Sequence, residues 1–226
     1  MKPTWQHLGR LAPILLVLGA AGCSGLLHSS APAVQVYTLR PEALAGGAAD
    51  HQPAKVASLR VAHPLAGPGL GSSQIVLLQP DQRMNVYAAS AWSADVPALV
   101  ESLAAQTLRA SGDWSSVEDD ESPFPSDYLL QISIRRFDAD YSAGTDVPPT
   151  IHVTLDCTLG TEDGRTILAS FAADGSAAAG ANKLSEVVAA FQQAADQALS
   201  SMSRQAIAAA SATGAQRAQG RSLRPR

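Results

Sequence analysis

Two cysteines, Cys23 and Cys157, hold the strongest nucleophiles in this chain, and their settings differ. Cys23 lies within LVLGAAGCSG, directly after a short apolar run and the small residues Ala20, Ala21 and Gly22. Lys2 and Arg10 make the start positive, Leu11 to Leu18 is almost wholly apolar, and a peptidase can hold the small trio extended, the layout of a cleaved secretory signal. The apolar run is about 12 residues, whereas spanning a bilayer takes about 20. Removal, not retention as a membrane helix, is the expectation. Cys157 stands in the alternating stretch IHVTLDCTL and reads as a small buried hydrophobe. An oxidising compartment would allow the two to pair, provided that the Cys23 sulfur stays free.

The Cys23 segment resembles the lipobox of bacterial lipoproteins, in which the cysteine is lipidated and begins the mature chain; Ala20 stands where leucine is commonest. The resemblance implies a signal peptide over residues 1–22, a covalent lipid with palmitate among its chains on Cys23, and a tether over 23–33. Acyl chains contribute about 0.8 kcal/mol per buried CH2, so two or three hold a protein firmly where one does so marginally. Lipidation also consumes the sulfur and sets the disulfide aside. Ser24, in place of the aspartate that marks inner-membrane retention in enterobacteria, points to the periplasmic face of the outer membrane.

No other constellation offers chemistry. The histidines His7, His28, His51, His63 and His152 show no paired spacing and there is no HExxH, so no metal site is expected. The loop Gly67 to Ser73 lacks the lysine of a phosphate cradle. Glu118-Asp119-Asp120-Glu121 lacks the alternate-ligand spacing and central glycine of a calcium loop and reads as a solvated acidic turn. Without a GxSxG elbow no hydrolase is indicated, and the expectation is a protein that is not an enzyme and needs no cofactor beyond the lipid. A net charge of −4 with no aromatic-bearing basic face argues against nucleic acid. Tyr87 and Trp92, in NVYAASAW, either pack under the helix that follows or meet a partner.

Removing 22 of 226 residues leaves enough chain for one domain, placed over 34–209, with a disordered arginine-rich tail at 210–226. Strands are predicted over Val34–Leu39, Ala57–His63, Gln74–Gln79, Trp114–Val117, Asp127–Phe137, Ile151–Leu159 and Thr166–Ala172, with a loop over Pro64–Ser73 and a hairpin turn at Glu162-Asp163-Gly164. Helical spacing of Leu99, Val100, Leu103 and Leu108 predicts a helix from Val96 to Ala110, capped by Asp95 and stopped by Gly112. A second, long helix is predicted over Lys183–Ala209, with Val187, Phe191, Ala195, Ala198 and Met202 on one stripe. The order gives an α+β fold, a two-layer sandwich of a mainly antiparallel sheet with two helices packed on one face. Thr154, Asp156 and Thr158 then line the other face, open to water or to a partner.

VYTL, SLRVAHPLAGPGLGSSQIVLL, VYAASAW, VPALVESLAAQTLRASGDWSSV and DYLLQISIRRF, in this order after the lipobox, resemble the ABC-type transport auxiliary lipoproteins, the family of the paraquat-inducible lipoprotein. The resemblance implies a non-enzymatic component that accompanies an ABC permease and ATPase and an MCE-type lipid-binding protein, and that helps lipids or other hydrophobic compounds pass between membranes. Tyr37 and Leu39 match the family's first strand, and Tyr87 and Trp92 its tyrosine and tryptophan; these aromatics either contact a partner or hold the fold. The insert Pro41–Ala54 and the arginine tail depart from the family. Two other readings also need an anchored α+β domain: an assembly factor for an outer-membrane β-barrel, and a carrier holding lipid in a pocket between sheet and helices.

Overall fold

Alternating apolar residues in the second half of the chain build its three longest strands, and everything else is arranged around them. The computed structural model describes residues 33–41, 57–163 and 166–222, with side chains to residue 213. The chain divides into units Met1–Ala33 and Val34–Arg226, and every element below belongs to the second. The signal segment, Cys23, the tether to residue 32, most of the Ala/Gly insert, Gly164 of the predicted turn and residues 223–226 lie outside the described residues.

The strands are β1 (Gln35–Tyr37), β2 (Leu59–Val61), β3 (Leu65–Ala66), β4 (Gln74–Leu78), β5 (Met84–Trp92), β6 (Val117–Glu118), β7 (Tyr128–Asp140), β8 (Thr150–Thr161) and β9 (Ile167–Ala178). Helix α1 (Val96–Ser111) lies between β5 and β6, and α2 (Leu184–Ser222) ends the described chain. The nine strands among the described residues join one open sheet. One edge of β7 pairs along its length with β8, antiparallel, and β8 pairs likewise with β9. The other edge takes β2, β3 and β4 one after another, each parallel to it. β5 joins β4 antiparallel, β1 joins β5 parallel, and β6 joins β2 parallel.

The fold is therefore α+β, but the sheet is mixed where a mainly antiparallel one was expected. Hairpin turns make antiparallel neighbours; parallel neighbours need a crossover. The chain provides one through α1, after which β7 runs alongside β2, β3 and β4 in the same direction.

α2 packs on β8 and β9 and touches α1, which lies against β2, β3 and β6. Beneath them Leu130, Ile132, Ile134, Ile151, Leu155 and Leu159 are fully buried. α2 presents Val187, Phe191, Ala194, Ala198, Met202 and Ala206 at three- and four-residue spacing, each fully buried. The alanines bring helix and strand together: a Cβ on Gly175 of β9 would stand 1.8 Å from the Ala194 carbonyl oxygen. Only a residue without a side chain fits there.

Three local expectations change. Pro64–Ser73 is not all loop, because Leu65 and Ala66 pair with Ser133 and Ile134 as β3. Asp95 occupies the N-cap position of α1 without a side-chain cap; the Val96 N–H instead donates to the Ser72 carbonyl at 3.2 Å. Gly112 ends α1 in the left-handed conformation (φ 68°), as its position suggested. α2 does not stop near Ala209 but runs to Ser222, into the segment read as a disordered tail. Alanine, glutamine and arginine there favour helix, against a cost of about 1 kcal/mol for each of Gly214 and Gly220.

Candidate partner-docking region around the N-terminal strand

Cys23 lies outside the described residues, so the region begins at the first described strand. β1 pairs with β5 so that Tyr37 stands beside Trp92, and the Ser93 N–H donates to the Tyr37 carbonyl at 2.7 Å. Tyr37 is half-buried and donates its hydroxyl to Gln35 Oε1 at 2.6 Å. Two residues on, Leu39 is buried, and the main chain of Arg40 is clamped by Gln192 of α2. Val34 and Val36, on the alternate side, are exposed to 60% and 65%.

Trp92 is 2% exposed. Its ring meets Phe137 and Phe191 in T-shaped contacts, at centroid distances of 5.7 and 5.1 Å, and the two phenylalanines lie 5.2 Å apart. Such contacts add about 0.5–1.5 kcal/mol each to what burial contributes. Trp92 therefore binds β5, β7 and α2 together.

Tyr87 sits where β5 departs from regular pairing. Gln74 and Val76 are two residues apart on β4, yet their partners Ala91 and Val86 are five apart on β5. The surplus bulges outward, with Ala89 at φ 50° and the Ser90 hydroxyl donating to the Tyr87 carbonyl at 2.9 Å. A bulge re-aims the side chains it carries. The Tyr87 and Tyr141 hydroxyls lie 2.8 Å apart, Tyr141 donates to Asn182 Oδ1 at 2.6 Å, and Asn182 Nδ2 donates to the Thr145 carbonyl at 2.9 Å. Tyr141 spends its only proton on Asn182, so Tyr87 is the donor between the two phenols. Burial, then the bond to Tyr141, pushes the Tyr87 phenol well above its ordinary pKa. The chain of bonds is a brace linking β5, the β7–β8 connection and the start of α2.

Cys157 is buried in β8; desolvation, then the charge of Asp156, pushes its thiol up to about 12. A thiol held so far from thiolate is no nucleophile at neutral pH. His63 Nδ1 lies 2.7 Å from Glu101 Oε2, and His152 Nε2 lies 4.0 Å from Asp140 Oδ2. Among the described residues no three His, Cys, Asp or Glu side chains gather as a metal-holding group, and no helix is long and apolar enough to cross a membrane. On the sheet face turned from the buried rows, Thr154, Asp156 and Thr158 are half-buried, and Asp156 pairs with Arg135 at 3.1 Å.

The acidic turn is held from within. Arg60 donates to the carbonyls of Asp119, Ser122 and Phe124 and pairs with Glu162 at 3.0 Å. A groove of about 570 Å3 runs between α2 and β9, lined by polar side chains that include Asp174, Gln197 and Arg204. It lies outside the core; at Gly175 the sheet–helix interface that a lipid pocket would need is closed by main-chain contact. Arg60, Tyr141, Asn182 and Gln192 carry no local sequence signal for these contacts, because the segments they tie together lie 37 to 152 residues apart.

Comparison with known proteins follows the same boundaries. The family model for the ABC-type transport auxiliary lipoprotein component matches residues 37–203, well over half of the chain. Among curated proteins none matches. A Xanthomonas campestris protein of the DUF330 family, known from its crystal structure, is 22% identical; the match covers 83% of this chain and 99% of that one, with a TM-score of 0.67. The crystal structure of an uncharacterized protein is 13% identical over 77% of this chain and 99% of its own, with a TM-score of 0.60. These two share the fold. On the match over residues 37–203, the chain belongs to the family of ABC-type transport auxiliary lipoprotein components.

Proposed function

We propose that this protein is a lipid-anchored periplasmic accessory of an ABC transport system, working with an MCE-type protein to move lipids or other hydrophobic compounds between membranes. Its role is to hold and dock, not to catalyse. The carrying observation is the family match over residues 37–203, which takes in most of the described domain. The lipobox-like LVLGAAGCSG supports Cys23 as the lipidated residue, and Ser24 supports the outer membrane as its seat. The described chemistry agrees with scaffolding: Tyr87 is braced, Trp92 is enclosed and the Cys157 thiol is held protonated.

Gentle crosslinking of the tagged, lipidated chain in cells, followed by mass spectrometry, tests the reading. Recovery of an MCE protein with permease and ATPase subunits is the expected result. A β-barrel recovered without any ABC component would replace it with outer-membrane assembly. The Cys23→Ser chain is expected to fold yet lose both membrane attachment and function, and full activity of that variant would remove the anchor from the proposal.

A further inference from the structure

Among the described residues four strands of the open sheet keep an unpaired edge, β9, β6, β1 and the two-residue β3. An edge presents unpaired N–H and C=O groups that invite another strand, and folds usually blunt it. On β9 the Ser176 N–H donates to Gln197 Oε1 at 3.1 Å, and the Ala172 carbonyl accepts from Gln205 Nε2 at 2.9 Å. On β6 the Val117 carbonyl accepts from Arg109 Nε at 2.9 Å. Helix side chains thus take up part of each of these two edges, and β3 lies against α1.

β1 differs. The Tyr37 carbonyl faces β5, where it accepts from Ser93, so alternation along the strand turns the N–H and C=O of Val36 outward. Among the described residues nothing plugs them. Three residues past β1, at Arg40, the fold already sets a side-chain amide, that of Gln192, against the main chain. We propose that β1 is the docking edge of this domain, where an extended segment of a partner protein adds to the sheet beside Val36 and lays alternate apolar side chains on Val34 and Val36. This deepens the transport reading and takes from it only the partner's identity.

The size of the edge favours that occupant. β1 has three residues, roughly 10 Å at about 3.3 Å per residue. Two folded copies abutting along so short a line would bury far less than the roughly 1,200 Å2 of a stable interface. A lipid surface would cover the valines but offer the Val36 N–H no acceptor within its acyl region. An extended polypeptide meets both needs, because its main chain pairs while its side chains supply apolar contact.

The test uses the full-length lipidated chain. Val36→Pro removes the outward N–H while keeping an apolar side chain, at the kind of edge position where proline is tolerated, and Val36→Thr keeps the N–H. We expect partner recovery after crosslinking to fall at least tenfold for Val36→Pro, with an unchanged thermal midpoint, and to persist for Val36→Thr. A photo-crosslinking residue in place of Val36 is expected to mark one extended segment of that partner. If the segment belongs to a protein outside any ABC or MCE-type complex, the docking edge stands and the transport reading falls. If the transport complex is recovered undiminished with Val36→Pro, or the crosslinker marks only lipid, a second copy or nothing, the docking edge falls and the transport reading stands. Should Val36→Pro unfold, hydrogen exchange of the Val36 amide in the unaltered chain decides: slowing of tenfold or more with partner bound supports the edge, and no slowing overturns it.

Discussion

Gln192 holds both main-chain groups of Arg40 across 152 positions of sequence: its Oε1 accepts from the N–H at 2.9 Å and its Nε2 donates to the C=O at 2.5 Å. The same Nε2 reaches the Asp196 carboxylate at 2.9 Å, which fixes the amide's orientation. The clamp joins the segment that follows β1 to α2. Two net bonds of about 0.5–1.5 kcal/mol each are at stake. Gln192→Ala is expected to cost about 1–2 kcal/mol and to speed hydrogen exchange at the Arg40 amide at least tenfold, measured by mass spectrometry or NMR. Unchanged exchange would mean that the clamp does not hold the segment.

Gly175→Ala tests the helix–strand approach. Its Cβ would lie 1.8 Å from the Ala194 carbonyl oxygen and 2.9 Å from the Ala198 nitrogen, both main-chain atoms that no rotamer change can move. The loss is expected to be about 3 kcal/mol or more, above the usual range for overpacking by one methyl. Chemical denaturation measures it, and a cost under about 1 kcal/mol would show that α2 slides freely on β9.

Removing a hydroxyl from the tyrosine brace is expected to be asymmetric. Tyr141→Phe leaves both the Tyr87 hydroxyl and Asn182 Oδ1 short of a partner, whereas Tyr87→Phe removes a donor that Tyr141 can spare. The expected costs are about 1–3 kcal/mol for Tyr141→Phe and about 0.5–1.5 for Tyr87→Phe, since an orphaned buried group costs more than a lost bond. Equal losses in thermal unfolding would overturn the donor assignment.

The Cys157 thiol is expected to resist alkylation at pH 8 in the folded protein and to react within minutes in denaturant. Burial and the nearby Asp156 charge hold it near 12, where almost no thiolate exists at that pH. Mass spectrometry after timed iodoacetamide treatment reads this directly, and rapid modification of folded protein would place Cys157 at an accessible surface.

Asp140 sets an acid limit. Burial works to raise its pKa, but the Ser142 N–H and then the Arg136 guanidinium outweigh it, so the carboxyl is held below the usual carboxylate range. A lowered folded-state pKa adds stability above the unfolded value of about 4, and that stability is lost as pH falls through the folded value. Asp140→Asn is therefore expected to lower stability at pH 7 and to flatten its decline below pH 4. A parallel shift of the whole pH curve would assign the decline to other groups.

Legibility followed distance along the chain. α1 begins at Val96 and ends at Gly112 as expected, because a proline in the first turn and a left-handed glycine act within a few residues. β8 was legible because Ile151, Val153, Leu155, Cys157 and Leu159 alternate without a break, and all are buried. β5 was not, because three surplus residues bulge between Val86 and Ala91 and destroy the period of two that marks a strand. β3 was hidden in a glycine-rich loop whose two strand residues are defined only by pairing with Ser133 and Ile134.

The sequence by itself determined the family, the long antiparallel strands and the helix faces, since each is written in residues near one another. Tertiary structure alone decided that short strands lie parallel along β7, that Trp92 is enclosed while Tyr87 braces three segments, and that Arg60 organises the acidic turn. It also decided which main-chain groups of the sheet edges are taken up by helix side chains. Gln197 and Gln205 look like any polar helix residues until α2 is laid on β9, because a side chain's partner is set by where the fold brings distant main chain, and no local pattern encodes that distance.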